Sequence, residues 1–350
     1  VTGVQTCALP ICKGYWGGKL KNLPGNGPGA GIAMMGGGYG GAGGKANGVN
    51  GMPYGSATAP VEPGSGGGAA DDNTRTGGNG GGAIVIESVG AVGLDGSLLA
   101  DGDNGVGTHA AGGSGGGIYV QCPTIAGAGT LSAKGGIGQG LWGGGPNGGA
   151  AYGSASNPVT LGSGGGAGDN SVNTSARGGG ALRINATGKV AVNGSLLANG
   201  GNGTANHGGG GSGGSVNILC DTFWGTNGVI GGNGNNSNGG GGGGGRISVR
   251  YASAAQAAGP VPRVVMSAQG GTATVIQYSG EPGSLYFPDT QVLLQDGNFL
   301  TSSGALTIPG FTSWGVDRLV VSNALVALPD DFVLTVTNDL VLSGTSPTTH

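Results

Sequence analysis

Short runs of alternating apolar and polar residues, each introduced by glycines, set the pattern of this chain. GGGAIVI at 80–86, GGGIYV at 115–120, GGGALRI at 178–184, GGSVNIL at 213–219 and GGGRISV at 243–249 share it. Ile84 and Ile86, or Leu182 and Ile184, fall on one face, as the period of two in a half-buried strand requires. A second strand follows four of them, ending in a small residue and a Gly or Asn turn. These are SLLADGDNG at 97–105, TLSAKGGIG at 130–138, SLLANGGNG at 195–203 and VVMSAQGGT at 264–272. Gly and Asn suit such turns because they tolerate positive φ. Helix is all but excluded, since glycine costs about 1 kcal/mol at each interior position.

The pattern is an internal repeat. Gly80–Cys122 aligns without a gap on Gly178–Cys220, with about half the positions identical. The offset is constant: 207 − 109 for the histidines and 220 − 122 for the cysteines both give 98. Strand starts otherwise recur about every 31–35 residues, apart from a Gly-rich insert between Gly140 and Arg177. Toward the end glycine thins, and the strand residues Leu319/Leu340 and Val321/Leu342 stand 21 apart. Strands this short cannot bury a core alone, but stacked copies cover one another's open faces. The expected fold is therefore all-β, a right-handed parallel β-solenoid (β-helix) with long Gly-rich loops over 80–344. Stacked polyglycine helices of polyproline II geometry and glycine-rich disorder are the rivals.

The expected organisation is an irregular Gly/Pro-rich region at 13–79, Gly-rich solenoid repeats at 80–251 and a transitional coil at 252–284. A region of shorter coils at 285–350 follows, with the C-terminus expected to be truncated. Residues 1–12 are set apart. Val1–Ile11, VTGVQTCALPI, resembles the translation of a common short-read sequencing adapter, and such a segment is excluded from fold reasoning.

Composition narrows the functional classes. Of 350 residues 91 are glycine, only 8% are charged and the formal net charge is −3. There is no basic patch for nucleic acid, no G-X-Y period for collagen and no apolar run of about 20 residues for a membrane span. Cys122 and Cys220 each end a strand on its apolar face. They are expected to be free, buried and two or three turns apart.

Candidate chemistry is sparse. His109 and His207 occupy equivalent repeat positions, but no Cys, Asp or Glu stands beside them at ligand spacing. Asp101, Asp103 and Asn104, with Asp169 and Asn170, have the flavour of the Ca²⁺-binding nonapeptide, yet Asp169 falls at the fifth place of its motif rather than the sixth, and no tandem copy follows. They read as turn residues. Glycoside hydrolysis needs two carboxylates about 5–9.5 Å apart, and the chain shows no acidic ladder; Asp330 and Asp331 are adjacent in a turn. GGSGG at 112–116 is repeat background rather than a nucleophile elbow. The sequons at Asn173, Asn185, Asn193, Asn202 and Asn235 are what an Asn- and Ser-rich chain throws up by chance. No catalytic, cofactor-binding or metal-ligating residue is assigned, and no cofactor is called for.

GGGGGRISVRY at 241–251, followed by VVMSAQGG and by EPGSLYF at 281–287, resembles a Gly-rich repeat of large bacterial surface or secreted proteins. In those the matching run ends in a GT-(I/V)-Y-like strand; Gly283-Ser284-Leu285-Tyr286 departs by Ser for Thr. The resemblance covers about Gly80–His350 and implies a β-helical adhesin or autotransporter-passenger-like class, extracellular or cell-surface, bringing no catalytic residues. The expectation is a non-catalytic structural or adhesive module whose partners are surface glycans or neighbouring copies of a surface protein. The alternatives are a fragment of a β-helix carbohydrate-active enzyme (polysaccharide lyase or hydrolase) and a disordered glycine-rich matrix protein.

Overall fold

The structure, a computed structural model, describes residues 14–32, 35–38, 54, 56, 59–107, 110–136, 154–158, 161–164, 176, 178–202, 209–236, 240–273 and 278–344. The first round of the chain carries strands β1 (Ala83–Glu87), β2 (Val92–Gly93) and β3 (Ser97–Leu99). The second carries β4 (Gly117–Cys122), β5 (Ile125–Ala126) and β6 (Thr130–Ser132). The third has β7 (Ala181–Ala186), β8 (Lys189–Ala191) and β9 (Ser195–Leu197), and the fourth β10 (Ser215–Leu219), β11 (Thr222–Trp224) and β12 (Gly228–Gly231). Then come β13 (Arg246–Arg250), the helix α1 (Ser253–Ala257) and β14 (Val264–Ser267). The rest is β15 (Ser284–Tyr286), β16 (Phe299–Leu300), β17 (Gly304–Thr307), β18 (Ser313–Ser322), β19 (Val326–Ala327) and β20 (Val333–Ser343).

Strands at the same point of successive rounds are neighbours. The first sheet runs β1-β4-β7-β10-β13-β15-β17-β19, the second β2-β5-β8-β11 and the third β3-β6-β9-β12-β14. A fourth, β16-β18-β20, lies in the C-terminal part. Every pairing between these strands is parallel. The chain is thus all-β with parallel sheets, and through the first four rounds the first three sheets each gain one strand per round. The first sheet continues unbroken from the Gly-rich repeats through β15, β17 and β19.

The register explains the repeat. Ala83 pairs with Gly117, and Gly117 with Ala181, so the 98-residue offset spans two rounds. The core follows from the alternation: inward positions at matching points stack. Ile84, Ile118, Leu182, Val216, Ile247, Leu285 and Leu306 form one such stack along the first sheet. Leu98, Leu131, Leu196, Ile230 and Met266 form another on the third. Most of these residues are fully buried, and each contributes about 1.5–3 kcal/mol by leaving water. The expected 21-residue pairings Leu319–Leu340 and Val321–Leu342 are register partners in β18 and β20.

Sequence reading missed several elements. The short strands of the second sheet and β12 were not anticipated, because two to four residues carry too little alternation to register. The near-exclusion of helix is corrected at α1, inside the expected transitional coil. Residues 252–258 read ASAAQAA, free of glycine and rich in the best helix former, and Gly259 follows. The helix covers the edge of β11, where the second sheet stops. The buried Gln256 side chain accepts from Phe223 N–H (2.8 Å) and donates to Phe223 C=O (3.0 Å). It thereby occupies the place a further strand would take.

Between the third and first sheets run glycine-rich tracts; their described residues pack on one another, and those at 100–116 also pack on the described residues of the irregular region before β1. These tracts are neither helix nor ladder strand, yet they are hydrogen-bonded. Gly66, Gly67 and Gly68 donate in succession to Asn26, Gly78 and Met35 (3.0, 2.9 and 2.9 Å), and their carbonyls accept from Gly31, Gly18 and Ala111 (3.0, 2.9 and 3.1 Å). Consecutive residues therefore reach different neighbouring tracts. That suits the three residues per turn of a polyproline II-type helix rather than the two-sided alternation of a strand. Contacts are backbone to backbone. A Cβ on Gly178 would stand 1.6 Å from the Gly162 carbonyl oxygen, and one on Gly80 1.7 Å from that of Gly64. Neither glycine has positive φ; glycine is required for space.

Candidate functional site

The polar residues singled out from the sequence mostly tie one round to the next. Asp101 accepts from the Ser132 hydroxyl (2.6 Å) and from Lys134 N–H (2.7 Å). Its counterparts in later rounds do the same: Asn199 Oδ1 accepts from Asn233 N–H (2.8 Å), and Asn233 Oδ1 from Gln269 N–H (2.9 Å). Asp103 accepts from the Asn79 amide (2.8 Å), and Asn235 donates to Gly200 C=O (2.7 Å). Asn193 Oδ1 accepts from Thr226 N–H (2.9 Å) at a second corner. Asp330 and the exposed Asp331 lie in the turn before β20, Asp331 with φ 57°. His109, His207, Asp169, Asn170 and Asn173 lie outside the described residues. Among the described residues no three His, Cys, Asp or Glu side chains are grouped to hold a metal ion. No described helix is long and apolar enough to cross a membrane.

Cys122 and Cys220 are both buried and free. Cys122 pairs in register with Ala186, and Cys220 follows β10 one round further on, so the thiols are two rounds apart. Burial pushes the Cys122 thiol up and the Cys220 thiol up to about 12, Asp221 adding to the latter.

The outer face of the first sheet carries a polar ladder under residues 154–158. Asn217 donates to Asn157 Oδ1 (2.9 Å), and Arg250 reaches both asparagines at 3.3 Å. Asn185 donates to the Tyr119 hydroxyl (3.2 Å) and accepts from Arg183 (3.3 Å). Burial, then the charge of Arg250, holds the Arg183 guanidinium below its usual range.

A cleft opens where the rounds shorten. Arg246 pairs with Ser284, 38 residues on, but Ser284 pairs with Ala305, only 21 on. The narrower rounds leave a shelf, and an open cleft of about 410 Å³ sits there between Val261, the segment 290–298 and Trp314 of β18. Buried Val292 and Leu293 anchor the segment in the core. Its tip is a tight turn bridged by Gln295 and Phe299, with Gly297 at φ 82° and Asn298 at φ 64°. Arg263 grips Asp296 (Nε–Oδ2 3.0 Å), and Arg318 donates to Gly297 C=O (3.1 Å). Trp314 is backed by Phe311 at a centroid distance of 6.0 Å, and Phe311 by Phe332 at 4.6 Å.

Behind the cleft wall, Asp289 accepts from the Tyr251 hydroxyl (2.6 Å) and from Gln291 N–H (2.9 Å). Burial raises its carboxyl, but hydrogen bonds from Ser253, Tyr251 and Gln291 outweigh that and hold it below the usual carboxylate range. Gln291 Nε2 donates to Asp289 Oδ2 (3.0 Å) and Ser253 C=O (3.1 Å). Both are obligate acceptors, so the amide cannot be turned round. Its Oε1 is left enclosed without a partner. None of these residues was singled out from the sequence. The Asp296-Gly297-Asn298 turn is legible there, but Val261 and Trp314 meet only through the fold. No family model matches the chain, and no curated protein or solved structure matches it significantly.

Proposed function

We propose that the chain is a stretch of right-handed parallel β-solenoid serving as a non-catalytic structural or adhesive module of a secreted or cell-surface protein. The observation that carries this is the strand order: through the first four rounds three sheets are visited in turn, each extended by one parallel, in-register strand per round. The right hand follows from the general preference of parallel crossovers. Glycine tracts packed backbone to backbone add a second layer, and among the described residues polar side chains at the corners link one round to the next. A surface with few charges and many Asn, Ser and Thr side chains suits contact with surface glycans or with neighbouring copies. Antibodies raised against residues 80–344 are expected to label intact cells of the source organism. Labelling that needs permeabilised cells contradicts the reading.

A further inference from the structure

We propose that the cleft beside Trp314 binds an uncharged saccharide, which rests on the adhesive reading above and gives it a site. The volume of about 410 Å³ falls among small-ligand sites, commonly about 300–1,000 Å³. The wall chemistry selects within that class. Trp314 offers an indole, a rigid amphipathic surface suited to the C–H face of a sugar ring. Thr290, Gln295 and Asn298 also line the cleft, a hydroxyl and two amides suited to the ring's hydroxyl rim.

Charge is already used up within the protein. Asp296 is paired with Arg263, while Arg318 is held by Gly297 C=O and lies 3.6 Å from Asp339. No lining residue is a cation, so an anionic ligand would gain no charged partner there. A purely apolar ligand would strip water from the amides without replacing its hydrogen bonds, which costs free energy. The rim is held in advance by Arg263, Arg318 and the Gln295–Phe299 bridge, which lowers the ordering cost of binding.

The test titrates the full chain with maltotriose, cellotriose and triacetylchitotriose, with trigalacturonate as the charged counterpart, followed by calorimetry and tryptophan fluorescence. At least one neutral trisaccharide is expected to bind at or below ~1 mM, and trigalacturonate not to bind. Trp314→Ala should weaken binding at least ~10-fold, about 1.4 kcal/mol. Asn298→Gly keeps the left-handed backbone, removes the amide and should weaken binding several-fold with the melting temperature retained. Trp16→Phe, far along the chain, should change nothing. Binding of a neutral trisaccharide that survives both cleft substitutions overturns the site while leaving the adhesive reading standing. No binding by any of the three up to ~10 mM overturns the cleft proposal outright, whatever the cell-labelling result.

Discussion

Replacing Gly213 and Gly96 by alanine separates two roles that glycine plays in this chain. A Cβ at Gly213 would lie 1.7 Å from the Gly232 carbonyl oxygen, 2.5 Å from Gly232 C and 2.6 Å from Gly245 N. All three are backbone atoms, so no side chain can swing away. Bringing the oxygen to even 3.0 Å needs a movement of about 1.3 Å (3.0 − 1.7). The tracts that must part are held by Gly245 N–H to Gly232 C=O (2.6 Å) and Gly213 N–H to Gly243 C=O (2.9 Å). Losing two such bonds in the interior costs about 1–3 kcal/mol each, so Gly213→Ala is expected to destabilise by ~3–5 kcal/mol. With an unfolding entropy of about 2.1 cal/mol/K per residue, 350 residues give ~0.7 kcal/mol/K, and Tm drops by ~4–7 °C. At Gly96 nothing lies within 4 Å of the added carbon and φ is not positive. Gly96→Ala should therefore gain ~0.4–1 kcal/mol by restricting the unfolded chain, a rise of about 1 °C. Both are read from thermal melts followed by circular dichroism. Equal effects of the two substitutions, or an unchanged Tm for Gly213→Ala, would refute the claim that the tracts are packed backbone to backbone.

Gln256→Ala should cost ~2–4 kcal/mol in denaturant unfolding, because Phe223 N–H and C=O are left buried without partners; a loss under 1 kcal/mol would mean water reaches that edge. In a chain carrying Cys7→Ser and Cys12→Ser, a thiol reagent at pH 8 should leave Cys122 and Cys220 nearly untouched until denaturant is added; fast native labelling contradicts their burial. Asp289 has a folded pKa below its unfolded value near 3.9, so its contribution is present above that pH and is lost as pH falls through the lower folded value. Melting temperatures measured from pH 5 down to pH 2 should fall less steeply in Asp289→Asn than in the unsubstituted chain; equal slopes contradict the network around Asp289.

The strands that set the fold were legible because alternation places Ile84 with Ile86, or Leu182 with Ile184, on one face, and stacking then repeats that face. The 98-residue offset was legible too, but its meaning was not. Only the pairing of Ala83 through Gly117 to Ala181 shows that it covers two rounds. The two-residue strands β2 and β5 are strands because β8 and its neighbours pair with them, a tertiary cause that propensity cannot register. Glycine was read as turn and loop, whereas Gly66–Gly68 form hydrogen-bonded tracts whose partners lie on several segments. Of the singled-out polar residues, Asp101 and Asn193 are corner ties, as turn residues should be. The cleft had no sequence signal, since it arises from a change in round length and joins side chains from Val261 to Trp314.

The distance between Val85 and Tyr286 tests the central claim most directly. The two are 201 residues apart in sequence (286 − 85) yet stand in one row of the first sheet, through Tyr119, Arg183, Asn217 and Ser248. Five parallel steps of about 4.8 Å put their Cα atoms ~24 Å apart. Spin labels at these positions, in a chain whose four cysteines are replaced, should give a single narrow distribution near that distance by pulsed electron resonance. A broad distribution, or a narrow one centred well beyond ~35 Å after allowance for the label arms, would contradict the in-register stacking of successive rounds.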